Sequence, residues 1–243
     1  MKNYIQVAIA SLGFVIAAAL LGQAIKNRNK SQNTISVTGL GAKKFTSDLI
    51  TWSASFSKAN TDLKSAYDEL AIDRKIISDY LKSKGVKDSE MVFSAVDIQK
   101  KFRSYNDANG NYVQGEFSGY NLTQSVSIES KEVAKIENLS RIITEIINRG
   151  VELTSSQPQY FYTKLAEVKQ QMIADATKDA KQRAEKIAAN AGSNIGDLKK
   201  ASMGVIQITA PNSAEDYSWG GTYNTSSKEK EASITIKLEY EVD

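Results

Sequence analysis

Residues 176–196 read ATKDAKQRAEKIAANAGSNIG, and the fold turns on how this stretch is understood. Ala176, Ala180, Ala184 and Ala188 recur every four residues, which on a helix places them in one stripe. Gly192 follows where a helix commonly ends in the left-handed region. The spacing predicts a helix over about residues 164–191. A stripe of methyl groups lets a neighbour approach closely. That neighbour is either the chain's own sheet or a second copy of the chain, and the pattern fits both.

Working outward, residues 151–162 and 203–209 read as strands on either side of this helix. A polar loop over 210–230 leads to a last strand over 232–242, with Ile234, Ile236, Leu238 and Tyr240 alternating. Towards the N-terminus, Ile50, Trp52, Ala54 and Phe56 repeat the period-two pattern, as do Ile35 and Val37 before Gly39 and Gly41, which read as a strand exit. Asp62 is a good N-cap for an amphipathic helix carrying Leu63, Ala66, Leu70, Ile77 and Leu81, stopped by Gly85. Residues 91–104 and 112–129 read as two long strands around the Asn109-Gly110 hairpin step, with Tyr120, Leu122, Val126 and Ile128 on one face. Ser130 can cap a further helix with Val133, Ile136, Leu139, Ile143 and Ile146, stopped by Gly150. The predicted order is ββαββαβαββ. This is an α+β protein with helices packed on mostly antiparallel sheets.

The first thirty residues differ in character. Residues 3–25 hold no charge and include Val7, Ile9, Leu12, Phe14, Ile16, Leu20 and Leu21, long enough as a helix to cross a hydrocarbon core. Ala17-Ala18-Ala19 resembles a signal-peptide cleavage site, but the apolar run continues past it, which favours an uncleaved membrane anchor over 1–30 and a domain over 31–243. Lys2 opposes Lys26, Arg28 and Lys30, so charge counting does not orient the anchor.

Setting those four basic residues aside leaves 27 basic against 28 acidic residues from position 31 onward. A nearly neutral domain lacks the positive face that nucleic acid requires. The chain has no cysteine and no histidine, which excludes disulfides, thiolate nucleophiles, Ser-His triads and the usual zinc sites. No catalytic, metal or cofactor-binding residue stands out. Ser55-Phe56-Ser57-Lys58 matches a Ser-x-x-Lys spelling, but on a strand the two side chains point to opposite faces. Asp107, Asn109 and Asn111 imitate the start of a calcium loop, yet Tyr112 stands where glycine is needed and Ser118 where glutamate is needed. Asp175 and Asp179, with Lys178 and Lys181 nearby, read as a solvated helix face. Tyr217, Trp219 and Tyr223, set in a loop rich in Gly, Ser and Asn, suit a recognition surface.

In order and spacing these pieces resemble the SIMPL-domain family. The resemblance is carried by Ile35-Ser36-Val37-Thr38-Gly39, Asp48, Leu81-Lys82-Ser83-Lys84-Gly85-Val86, Gly119-Tyr120, Gly150-Val151, and the spacing Ala176, Ala180, Ala184, Ile187, Ala188, Gly192, Ile195, Gly196. It implies a domain outside the cytoplasm, tethered to the inner membrane on the periplasmic side, and in some relatives assembly into large homo-oligomers or an oxidative-stress label. It supplies no catalytic residues. The resulting expectation is a non-enzymatic, membrane-anchored protein that self-assembles, with an indirect stress-protective role. The surfaces expected to serve are Tyr217, Trp219 and Tyr223 and the stripe Ala176, Ala180, Ala184 and Ala188. The alternatives are a binding module for a small solute or glycan, and a hydrolase using carboxylate or Ser-Lys chemistry.

Overall fold

The computed structural model describes residues 12–24, 33–106, 108, 110–216 and 218–242. The expected membrane-spanning helix is corrected. The described part of helix α1 covers residues 12–24, and among the described residues no helix is long and apolar enough to cross a membrane. Thirteen residues at ~1.5 Å each reach about 20 Å, well short of a ~30 Å hydrocarbon core. The single-pass inner-membrane placement built on that helix falls with it, and the rest of the expected span, residues 3–11 and 25, lies outside the described residues.

The α+β architecture consists of two antiparallel sheets, each backed by helices. In the first, β1 (Thr34–Thr46) pairs along its whole length with β10 (Glu229–Val242), which also pairs with β8 (Ile195–Met203) and β9 (Gln207–Thr209). Helix α4 (Leu165–Asn190) lies across this sheet. Val37, Ile234, Ile236, Leu238 and Tyr240 alternate onto its inner face and meet Val168, Met172, Ala176, Ala180 and Ala184. The alanine stripe is therefore buried against the chain's own sheet, not offered to a second copy.

The reason is a fit of small residue to small residue. A Cβ at Gly39 would lie 2.2 Å from the Ala176 carbonyl oxygen and 2.4 Å from the Ala180 nitrogen, and one at Gly41 would lie 2.2 Å from the Met172 carbonyl. These glycines sit in the middle of β1, not at a strand exit, because only a strand without side chains there admits the helix backbone. Helix α4 leans over the outer edge of β1, and Asp179, expected to be merely solvated, accepts the Leu40 backbone N–H at 2.9 Å.

In the second sheet, β2 (Leu49–Asn60) and β5 (Tyr112–Ser130) form the centre. β3 (Met91–Phe93) and β4 (Asp97–Asn106) follow one another along the far edge of β5, and β6 (Leu153–Ser155) and β7 (Gln159–Phe161) do the same along β2. Each expected single strand is thus two. Residues 94–96 break the first, and Pro158, which has no N–H to donate, lies in the break of the second. Helices α2 (Leu63–Ser83) and α3 (Val133–Ile142) cover the inner face, where Ile50, Trp52, Phe56, Leu122, Val126 and Ile128 meet Leu70, Ile77, Leu81, Ile136 and Leu139. Asp62 caps α2 as its sequence suggests, its carboxylate accepting the Ser65 N–H at 2.8 Å. Beyond α3 the chain tightens into a 3₁₀ helix, Ile143–Arg149, that ends at Gly150 with φ +81°.

The two sheets are joined through short backbone bonds. Ser47 N–H donates to the Lys228 carbonyl, Asp48 N–H to Phe161 and Tyr160 N–H to Thr225. Asp48 also accepts from the Thr163 backbone and hydroxyl, both at 2.7 Å.

One part of the second sheet leaves the body. All ten residues of β4 are exposed, and its pairing is with β5. Two bulges interrupt that pairing, with Gly115 at φ +77° and Gly119 at φ +133° on β5 beside them. Bulges of this kind bend and twist a ribbon. A Cβ at Gly119 would lie 2.7 Å from the Asn60 carbonyl, so the ribbon departs where it crosses the end of β2.

Candidate binding surface

The loop after β9 is shaped by one buried amide. Gln207, 8% exposed, donates from Nε2 to the Ser218 carbonyl at 2.8 Å. Its Oε1 accepts from the Thr222 N–H at 2.9 Å and the Ser218 N–H at 3.3 Å. Ile208 N–H donates to the Thr222 carbonyl at 2.7 Å, and Asn224 N–H returns to the Ile208 carbonyl at 2.8 Å. Gly221, at φ +91°, closes the turn where a Cβ would press on Val205 Cγ1 at 2.9 Å. The turn from Ser218 to Thr222 is therefore pinned at both ends, and it holds Trp219 at its tip, 99% exposed.

Beside Trp219 runs an open groove of about 590 Å³ on the outer face of the first sheet. Leu40, Met203 and Val205 supply its apolar walls, with Gly204, Ser218 and Thr235 between them. These three apolar residues are each about half exposed, and together with Trp219 they make a contiguous apolar surface on a face where polar side chains are the rule.

Tyr223 does not join this surface. Its ring stacks on Phe161 with centroids 6.3 Å apart, and its hydroxyl accepts the Tyr162 N–H at 3.3 Å. Tyr217 lies outside the described residues. Of the two described loop aromatics, Trp219 is the one placed at the groove.

Behind the loop, Lys230 is fully buried. Its ammonium donates to the carbonyls of Asn224 and Ser227 and lies 5.6 Å from the centre of the Tyr223 ring. Burial lowers its pKa from 10.5 to about 8, against a smaller opposing pull from Glu215. Sealed from solvent, this amine cannot meet a substrate, and it serves to gather the loop carbonyls.

Other clusters are likewise committed to structure. Lys58 pairs with the buried Asp73 of α2 at 3.1 Å, while Ser55 projects from the opposite face of β2. A cleft of about 500 Å³ contains Glu137, but its carboxylate is held by Arg141 at 2.7 Å and Lys228 at 3.2 Å. Another, of about 630 Å³, is lined by Thr51, Ser53, Ser127 and Gln157 and includes Glu90. Hydrogen bonds from Ser130 Oγ and the Lys87 N–H hold Glu90 below the usual carboxylate range. Among the described residues no group of three or more acidic side chains could hold a metal ion. Asp107 and Asn109 of the calcium-like stretch lie outside them.

Sequence reasoning singled out Trp219, which lines this groove, but not Gln207, Leu40, Met203 or Val205, which line it as well. Leu40 carried a signal, since a large apolar residue between two glycines on an alternating strand must face away from the helix that the glycines admit.

By class this is an α+β protein of two helix-backed antiparallel sheets, with an apolar groove rather than a reactive cluster as its distinctive surface. A family model described as SIMPL, protein of unknown function (DUF541), matches residues 35–242, and the chain belongs to that family. No curated protein matches it. Among solved structures it is similar to a hydantoinase/carbamoylase family amidase from Burkholderia ambifaria, at 16% identity and a TM-score of 0.24. That match covers 49% of this chain and only 28% of the amidase. CutA from Synechococcus elongatus is matched at 7% identity over 55% of this chain and 96% of that one, with a TM-score of 0.20. The regulatory subunit of aspartate kinase from Thermus thermophilus is matched at 13% identity over 82% and 88%, with a TM-score of 0.16. Scores this low carry no argument about function.

Proposed function

We propose that the protein is not an enzyme and acts by association, assembling with further copies of itself, so that any stress-protective effect is indirect. The observation that supports this reading best is the Trp219 groove. A fully exposed indole beside three half-exposed apolar residues is an uncovered apolar surface, and such surfaces on soluble domains mark interaction sites. The loop holding Trp219 is fixed in advance by Gln207, which lowers the ordering cost of binding. The titratable clusters, by contrast, are engaged in internal ion pairs and hydrogen bonds.

The test is the absolute mass of the full chain by light scattering after size exclusion, over a concentration series. A discrete multiple of the monomer supports the reading, and a monomer at every concentration overturns it. A saturable turnover that survives repurification would overturn its non-enzymatic part. A second reading, a binding module for a small solute or glycan, is favoured by the groove's volume and by the stacking face of Trp219. It predicts a ligand-dependent change in tryptophan fluorescence that disappears in Trp219→Ala, whereas no response across a glycan panel removes it.

A further inference from the structure

The outer faces of the two sheets are built from different side chains. On β10, at the centre of the first sheet, the outward positions include Glu231, Lys237, Glu239 and Glu241, long side chains that cover a sheet in water. On β2 the outward positions carry Thr51, Ser53 and Ser55, and opposite them β5 carries Glu129, Ser127 and Ser125. Short hydroxyl side chains leave the middle of this face low, and a cleft of about 630 Å³ opens there. Its floor has two rows. Glu129, Thr51 and Gln159 stand side by side on β5, β2 and β7, and Val92, Ser127 and Ser53 on β3, β5 and β2. Ser156 closes the second row, sharing a hydrogen bond with the Ser53 hydroxyl at 2.9 Å. The Glu90 carboxylate at one wall is held by Ser130 and Lys87. The hydroxyls of Thr51 and Ser127 and the amides of Gln157 and Gln159, by contrast, make no side-chain hydrogen bond among the described residues.

We propose that this cleft binds an uncharged oligosaccharide; this goes beyond both readings above, since it needs neither self-assembly nor the Trp219 groove. The lining selects that class in several ways. A serine or threonine hydroxyl both donates and accepts, and so does a glutamine amide, which matches a ligand whose edges are rows of hydroxyls. Short side chains on paired strands have little rotamer freedom to lose, so each bond is made at small ordering cost. The lining includes the carboxylates of Glu90 and Glu129 and neither lysine nor arginine. A phosphate, sulfate or uronate would meet like charge there without a partner. An apolar ligand finds little to cover, because Trp52 and Ile128 lie buried beneath the floor and Val92 is the exposed apolar side chain of the lining. The floor runs from β3 to β7 across three strand spacings of ~4.8 Å, about 14 Å in all, which suits a chain of sugar rings better than a single small solute. Its volume is within the ~300–1,000 Å³ of ordinary ligand sites.

The experiment titrates the full chain by calorimetry with maltohexaose, cellohexaose and the N-acetylglucosamine hexamer as uncharged probes and hexagalacturonate as the anionic one. At least one uncharged probe is expected to bind with saturation, and hexagalacturonate is not. Thr51→Val combined with Ser127→Val suits the strands, removes two hydroxyls and should weaken binding about ten-fold. Ser127→Thr keeps its hydroxyl and should stay within about two-fold of wild type. Should circular dichroism show that the valine pair disturbs the sheet, Gln159→Ala, at an exposed position of β7, should still weaken binding about three-fold. Trp219→Ala should bind as wild type does. An uncharged probe that binds the valine pair as it binds wild type, and is lost in Trp219→Ala, overturns the cleft and leaves the groove as the glycan site. Tighter binding of hexagalacturonate than of every uncharged probe overturns the ligand class. The absence of saturable binding by all three uncharged probes overturns the proposal outright.

Discussion

Replacing Gly39 by alanine should destabilise the protein by about 2 kcal/mol, and the figure follows from the contact between α4 and β1. The added Cβ would sit 2.2 Å from the Ala176 carbonyl oxygen and 2.4 Å from the Ala180 nitrogen. Both obstacles are helix backbone, so no rotamer change relieves them, and α4 must retreat by roughly 1 Å to restore ordinary contact. A retreat of that size forfeits a quarter to a half of the dispersion energy along the row from Val168 to Ala184, and overpacking of this kind costs about 1–3 kcal/mol. Because the obstacles are backbone, the cost sits at the upper end, about 3 kcal/mol, and alanine in a strand gains back roughly 0.5–1 kcal/mol over glycine through the unfolded chain, leaving about 2 kcal/mol. Urea unfolding followed by circular dichroism would give the difference, and Tm should fall by about 4–8 °C. Ala180→Gly should not rescue it, because the clash is with backbone. Thr38→Ala, on the exposed face next door, should stay within about 0.5 kcal/mol of wild type. A Gly39→Ala protein equally within that margin would refute the account of why alanines and glycines face each other here.

Lys230 predicts a pH dependence. Its pKa is lowered on folding from 10.5 to about 8, so between those values the unfolded chain binds more protons and stability rises with pH. The penalty of the buried charge is fully present below about pH 8 and is relieved as pH climbs towards 10.5. From pH 7 to pH 9.5 this single group should add about 2 kcal/mol, and Lys230→Met should remove that increment in urea titrations at the two pH values. Gln207→Leu should cost about 1–3 kcal/mol and raise hydrogen exchange over residues 218–222, since two N–H groups and a carbonyl lose their partner. Asp62→Ala should cost about 1 kcal/mol through loss of the α2 cap. Trp219→Ala should leave stability within about 0.5 kcal/mol, because the side chain is almost wholly exposed, while weakening any association through the groove.

Much of the fold is legible because its elements are amphipathic in a simple way. α2, α4, β2 and β10 show clean periods, and their caps at Asp62, Gly85 and Gly192 are spelled in the usual residue types. β8 is hidden over most of its length, since all but its first two residues are exposed and Lys199, Lys200 and Ser202 give no alternation to read. The paired short strands read as single ones because a break such as residues 94–96 is set by hydrogen bonds from distant residues. There the Gln124 side chain donates to the Ser94 carbonyl, and the Ser94 N–H donates to the Ser125 carbonyl. The groove is illegible for the same reason, since Leu40 lies far in sequence from Met203 and Val205 and meets them only through the strand order β1-β10-β8. The alanine stripe leaves two outcomes open, and the decision between them lies in Gly39 and Gly41, whose role requires the strand to continue through them.

The carboxylate of Asp179 on the Leu40 N–H has a meaning for the solution behaviour of the protein as well as for its fold. β1 is thirteen residues long and forms one margin of its sheet, the kind of margin along which chains stack without limit into fibres. Here the midpoint of that margin is already occupied by a helix-borne group that Arg183 holds in place at 2.9 Å. A newcomer strand would have to evict it to pair along the whole margin. The margin is thereby interrupted at its midpoint, and an uninterrupted edge-to-edge ladder along β1 would first have to break a bond the fold already makes.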